Sequence, residues 1–277
     1  MTIPHSRGDA SSKRCLVHLG GWGYARFSLA EITGLRRKIP AWAVTGTPGH
    51  FFKYADEQTI LAVQALDHLL ERQGDDLGDR SRFAVIAAPQ FLGRISSVNT
   101  FSRFQRSGAP SVSPHIIPQH SLHSVSGAIS VLLGCRGPNV GVGGGPGALD
   151  NALLSATTLF AGSETTSAWL VCTGWDPEPQ FDREGNCLNE PICQAFALAV
   201  SAQPMPKQLG ALQLHLPDRG KASVAATSSA LTVAQIVAEL QAVESRQAPA
   251  SIGWQTNWGA TVELKIVPHV IARLQAA

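Results

Sequence analysis

A chain of 277 residues that is 44% hydrophobic, only 15% charged and near neutral at +2 has room for one large domain, or one domain with a small annex. It carries no charge excess that would draw it to nucleic acid or to an anionic membrane surface. No apolar run is long enough to cross a bilayer, and the polar opening MTIPHSRGDASSKR lacks the apolar core of a secretory signal.

Residues 1–13 are therefore expected to be a disordered lead. The low charge implies that much of the surface is covered, by the chain itself or by a partner. Cys15, Cys135, Cys172, Cys187 and Cys193 are odd in number and show no C-x-x-C spacing. That fits free thiols in a reducing cytoplasm better than a disulfide framework. Cys172, inside AWLVCTG, is expected to be a buried core thiol.

In chain order, RCLVHLGGWGYAR predicts a strand running into a glycine-rich bend. Asp56 predicts a helix N-cap, and Ile60, Ala62, Val63, Leu66, Leu69 and Leu70 follow at helical spacing to about Gln73. RFAVIAAP has the length and continuous apolarity of a buried strand. A helix is predicted from Ser121 to Leu133, ended by Gly134, then a short strand NVGV and a small-residue helix from Ala148 to Ala161. Strands AWLVCTG, CQAFALAV and GALQLHLP follow. PDRGKASVAATSS predicts a linker, Leu231 to about Arg246 an amphipathic helix, and TVELKIV a last strand. The alternation implies an α/β domain with a mixed, mostly parallel sheet flanked by helices. Its bounds are 14–216, with a C-terminal extension over 217–277 packing on the same domain.

The turn Gly143, Gly144, Gly145, Pro146, Gly147 joins the NVGV strand to the next helix. Such turns hold anions or present nucleophiles, yet this one carries no Cys, Ser, Lys or His. Three readings stand. It is a vestigial nucleophile elbow, kept because the backbone turns tightly there. It is a dinucleotide loop, since Gly143, Gly145 and Ala148 fit G-x-G-x-x-A, with Asp176 as the acidic residue, late for that spacing. Or it only packs helix against sheet. His115, His120 and His123 lie close together, but with no thiol or carboxylate beside them a zinc site is not favoured. Ser155, Thr157 and Thr158 are expected to pack against the sheet rather than to react. Trp254 and Trp258 read equally as interface anchors or as pins for the C-terminal segment.

The stretch SVSPHIIPQHSLHSVSGAISVLLGCRGPNVGV resembles the corresponding part of β-ketoacyl synthases, with Val112, Ser113, Pro114, Pro118, Gly127, Gly134, Arg136, Gly137 and Pro138 in register. RFAVIAAPQFLG before it, and LFAGSETTSAWLVCTGWD and CQAFALAVS with LGALQLHL after it, resemble the flanking elements, so the likeness spans roughly 82–216. It implies a thiolase-like fold, of which this chain is long enough for essentially one half. In that family the elbow carries the nucleophilic cysteine. Counting from Arg136 puts that position at Pro146, and counting back from Gly162 puts it at Gly145. The histidines that complete the family's triad have no counterpart, since His215 and His269 are the only histidines in the later region and neither stands in a His-Gly-Thr-like segment.

The chain thus resembles the truncated, chain-length-factor-like subunits of type II polyketide and aryl polyene systems. The resemblance implies a non-catalytic partner of a catalytic ketosynthase in a heterodimer, with an acyl carrier protein engaged indirectly. No catalytic residue, metal or cofactor is expected. It further implies that Pro114, His115, Ile116, Ile117 and Pro118 reach the partner's acyl pocket, and that Asn139, Val140, Gly141, Val142 and Gly143 lie near the two-fold axis. Two rivals remain: a condensing or acyltransferase enzyme using Cys135 or Cys172, and a nucleotide-binding module using Gly143 to Ala148.

Overall fold

The computed structural model describes residues 14–73, 77–114, 116–162, 164–216 and 231–268. The expected lead, the expected linker, His115 and His269 lie outside them. Among the described residues, eight strands form one sheet in the order β3-β2-β4-β5-β1-β6-β8-β7. They are β1 (Arg14–Ser28), β2 (Ala84–Pro89), β3 (Asn139–Gly141), β4 (Ser167–Trp175), β5 (Ile192–Ser201), β6 (Gly210–His215), β7 (Ala250–Gln255) and β8 (Thr261–Ile266). The helices are α1 (Leu29–Leu35), α2 (Glu57–Gln73), α3 (Arg94–Ser107), α4 (Ile116–Gln119), α5 (His123–Leu133), α6 (Ala148–Gly162) and α7 (Val233–Arg246).

The sheet is mixed, as expected, but its balance is the reverse of mostly parallel. Only β3–β2 and β2–β4 run parallel, and the other five pairings are antiparallel. The parallel pairs are those joined by crossover helices, α5 before β3 and α6 before β4. A strand buried on both faces reads as a continuous apolar run whatever its direction, so the sequence carries no sign of this.

Side chains alternate between two cores, as the two-residue period requires. Ile86, Leu170 and Phe196 face α6 and α7. Val85, Val171 and Ala197 face α2 and α5. Leu212, Ile252, Trp254, Val262 and Leu264 join the same core as α6 and α7. The predicted glycine bend after β1 is instead more strand, with a bulge between Leu19 and Gly21. Its glycines serve close packing: a Cβ on Gly23 would stand 2.5 Å from Leu69 N of α2. α7 begins at a capping box, in which Thr232 Oγ1 accepts from Gln235 N and Gln235 Oε1 accepts from Thr232 N. Among the described residues, no helix is long and apolar enough to cross a membrane.

Candidate functional site

β3 leaves the sheet into the glycine turn. Val142 N donates to Ala87 O (2.9 Å) and Gly144 N to Pro89 O (3.1 Å), while Phe91 N donates back to Gly144 O (3.2 Å). The turn is thereby stitched to the segment that follows β2. Gly143 and Gly144 have φ of +93° and +92°, a region where a side chain is strained. A Cβ on Gly143 would also lie 2.7 Å from Ala148 Cβ. α6 then starts at Ala148, and its first turn carries Asp150, 3% exposed. The Asp150 carboxylate accepts from Asn257 N (2.8 Å) and Trp254 Nε1 (3.3 Å). An anion is favoured at a helix N-terminus, and here the chain supplies its own.

No side chain in the turn is nucleophilic, and Gly145 is the one glycine of the tight run with room: a Cβ there meets nothing within 4 Å. Ser155 Oγ donates to Asn151 O (2.8 Å) and Thr157 Oγ1 to Leu153 O (3.0 Å), so both hydroxyls are tied back to their own helix. Trp254 is buried in β7 and Trp258 packs on the same core. Of the two readings of that pair, the structure gives the pin to the core.

The two thiols named as rival nucleophiles are poorly placed. Cys135 lies at the opposite end of β3 from the turn. Burial pushes its thiol up to about 11, and its Sγ donates to Arg80 O (3.4 Å). Cys172 is fully buried on β4, and burial drives its thiol well above the usual range. Neither is a thiolate near neutrality. The dinucleotide reading fares no better. Among the described residues β3 is an edge strand paired only with β2, and no parallel neighbour on its free side carries a ribose-binding acid. Asp176 follows β4, two strands away or about 10 Å at normal strand spacing.

Beneath the turn lies a buried polar network that the sequence did not disclose. Asp56, 3% exposed, has the helix-capping role expected of it, since its Oδ1 accepts from Gln58 N (2.9 Å). Its Oδ2 also accepts from Gly93 N (3.1 Å), 37 residues on. Gln58 Nε2 donates to Gln90 O (2.9 Å), and Gln58 Oε1 accepts from Thr173 Oγ1 (2.7 Å). Burial, and secondarily the charge of Glu57, raise the Asp56 carboxyl to about 7, against the lowering effect of the Gln58 and Gly93 amides and Arg36.

The second region is the sheet edge with the segment that crosses in front of it. Val85 N donates to Pro138 O and Val142 N to Ala87 O. In a parallel ladder this alternation turns the backbone groups of Asn139 and Gly141 away from β2. On this edge Asn139 Oδ1 and, on α5, Ser124 Oγ are buried without a hydrogen-bond partner among the described residues. Gly141 lets α5 press against β3: a Cβ there would lie 2.6 Å from His123 N and inside the shell of Leu122 O.

Of the segment itself, Pro114 and Pro118 are exposed, Ile116 is half-buried and Ile117 is 74% exposed. Between it and α3 runs a cleft of about 300 Å³ lined by Arg36, Lys53, Ile95, Asn99, Arg103 and Ile116 among others. A second hollow is walled by Ile117 and by Phe101, 67% exposed. Ser96 Oγ lies 2.7 Å from His120 Nε2, and burial lowers the imidazole's proton affinity. Among the described residues, no three His, Cys, Asp or Glu side chains converge as a metal would require. The Gly143–Gly147 turn and the 114–118 segment are separate features. The structure joins them through Gln90 to Gly93, which touches the turn on one side and starts α3 on the other.

No protein-family model matches the sequence, and no curated protein does. Solved structures do. The chain is similar to one described as the ishigamide ketosynthase/chain length factor, at 16% identity and a TM-score of 0.54, covering 91% of this chain and 99% of that one. It is similar to a chain in the complex of the ketosynthase ApeO with its chain length factor ApeC from Xenorhabdus doucetiae, at 14% identity and a TM-score of 0.51, covering 89% and 98%. It is also similar to a chain of AntDE:AntF, a type II PKS acyl-carrier protein in complex with its ketosynthase, at 10% identity and 0.51, covering 92% and 99%. In each case nearly the whole matched chain is covered, so it is about as long as this one. The chain therefore has the thiolase-like α/β fold found in chains of ketosynthase and chain length factor assemblies.

Proposed function

We propose that the chain is a non-catalytic, chain-length-factor-like subunit that pairs through its β3 edge with a catalytic β-ketoacyl synthase in polyketide-type chain elongation. The observation that carries this reading is the pairing of an elbow empty of nucleophiles with an uncharged edge strand whose Asn139 and Gly141 backbone groups face away from β2. An open strand edge invites association. A second strand across Asn139–Gly141 gives those groups partners. The structural neighbours support the reading, because they come from ketosynthase–chain length factor complexes and from one that includes an acyl-carrier protein. In this reading the partner performs the condensation, and the carrier protein serves the partner.

Pro114, His115, Ile116, Ile117 and Pro118 then face the partner's acyl pocket, and the chain helps to set product length. Ile116→Trp, which fills the space in front of the segment, is expected to shorten the product distribution of the reconstituted complex by at least one extension unit. Ile116→Ala is expected to lengthen it. The check is mass analysis of products from equal amounts of each complex, and identical distributions from all three would remove the tunnel-shaping role.

A further inference from the structure

A small polar cavity lies where the ends of β2, β4 and β5 meet the start of α7, and the proposed function leaves it unused. Its volume is about 120 Å³, and Gln90, Gly174, Asp176, Gln194 and Ala234 are among the residues that line it. Gln194 of β5 is 6% exposed. Gln90 follows β2 and bridges to Gly144, so the cavity borders the elbow. Neither glutamine carboxamide has a hydrogen-bond partner among the described residues, and the polar atoms of Gln194 open on the cavity rather than being sealed in the core. A carboxamide offers two donors and two acceptor lone pairs, and buried polar groups are as a rule paired. Two that stand unpaired around one hollow point to a ligand.

The local sequence makes the room. Gly174 is the cross-strand neighbour of Gln194, and a Cβ on it would stand 2.9 Å from Gln90 Oε1 and 3.6 Å from Val233 Cγ2. The mouth is formed by two exposed residues, Asp176 just past β4 and Thr232, the N-cap of α7. Thr232 Oγ1 takes the Gln235 amide. The amides of Val233 and Ala234, in the first turn of the helix, have no acceptor among the described residues.

This lining sorts what can enter. The positive end of α7 disfavours a cation, the Asp176 carboxylate disfavours an anion, and either ion would lose its hydration on entry. A neutral group that both accepts and donates meets no such conflict. Its oxygen suits the α7 amides and the glutamine NH2 groups, and its N–H groups suit the glutamine and Asp176 oxygens. Since a 150 Å³ cavity takes benzene, this one admits roughly five non-hydrogen atoms. We propose that the cavity binds the neutral primary-carboxamide end of a small molecule, read by Gln90 and Gln194 and capped by the first amides of α7.

The test is NMR titration of the full chain with propionamide, propionate and propylammonium, three molecules of nearly equal size. The side-chain NH2 resonances of Gln90 and Gln194 and the backbone amide of Ala234 are followed. Propionamide is expected to shift all three with one saturating curve, at a Kd on the order of millimolar, and the two ions to bind at least tenfold more weakly. Gly174→Ala, which meets only the end of the Gln90 side chain, and Gln194→Leu, which removes one carboxamide, are each expected to weaken propionamide at least tenfold. No saturable shift in the wild type would mean that the cavity holds water only, and equal binding of the three molecules would mean that it does not read an amide; either result overturns the proposal. Undiminished binding in both variants overturns it too. Should a variant not fold, the comparison of the three ligands on the wild type decides. The readout needs no second subunit, so it stands or falls apart from the proposed pairing.

Discussion

Asp150→Ala is expected to destabilise the chain by about 2–4 kcal/mol, from the buried Trp254 Nε1 left without an acceptor at about 1–3 kcal/mol, the lost bond to the part-buried Asn257 N and a lost N-terminal charge on α6. At roughly 2–4 °C per kcal/mol for a chain of this size, the melting temperature falls by on the order of 10 °C. The two donors are Asn257 N and Trp254 Nε1, so the loss falls on the junction between α6 and the β7–β8 turn. Asn257 is also what a Cβ on Gly147 would strike, at 2.7 Å from its Nδ2, so the same turn supports the elbow. Asp150→Asn retains one acceptor and is expected to lose about half as much. Thermal unfolding of the three proteins at matched pH checks this. An Asp150→Ala protein that melts within a degree or two of the wild type would mean that the carboxylate does not bind the C-terminal strands to the core.

The second large effect contrasts two glycines four residues apart. Gly141→Ala places a Cβ against the backbone of Leu122 and His123, which cannot rotate away. Overpacking of that kind costs about 1–3 kcal/mol or more, and it displaces the edge strand proposed to meet the partner. Gly145→Cys places its Cβ in open space and is expected to cost less than about 1 kcal/mol. The new thiol stands next to the N-terminus of α6, an environment that favours a thiolate. It is expected to alkylate at neutral pH at least tenfold faster than Cys135, whose thiol burial pushes up to about 11. Stability, complex formation and iodoacetamide labelling are read on both variants. If the Gly141→Ala protein folds and pairs as the wild type does, the close approach of α5 to β3 is not needed for the edge.

Much of the fold was legible because burial writes a period into the sequence. α2 shows its inward stripe from Ile60 to Leu70, and β2, β4 and β5 show as apolar runs because both faces are covered. What escaped has physical reasons. α3 buries only Ile95, so it has no stripe to read, and its exposed Phe101 and Phe104 follow no core. β7, with Gly253 and polar neighbours, has no apolar run to read, yet Ile252 and Trp254 alternate inward. The glycines of β1 signalled a bend and instead mark where α2 comes close. Strand direction was misjudged because direction leaves no trace in an apolar run. At the site, the empty elbow was visible residue by residue. Asp56 was seen only as a cap, since its second bond goes to an amide 37 residues away and no local pattern encodes that. Asn257 was missed for the same reason.

The most direct measurement is the native mass of the tagged chain purified from its own host, with co-purifying proteins identified. The account predicts a stoichiometric complex at the mass of a heterodimer with a ketosynthase that keeps its cysteine and histidines. A lone homodimer or monomer with no ketosynthase at any salt concentration would contradict it.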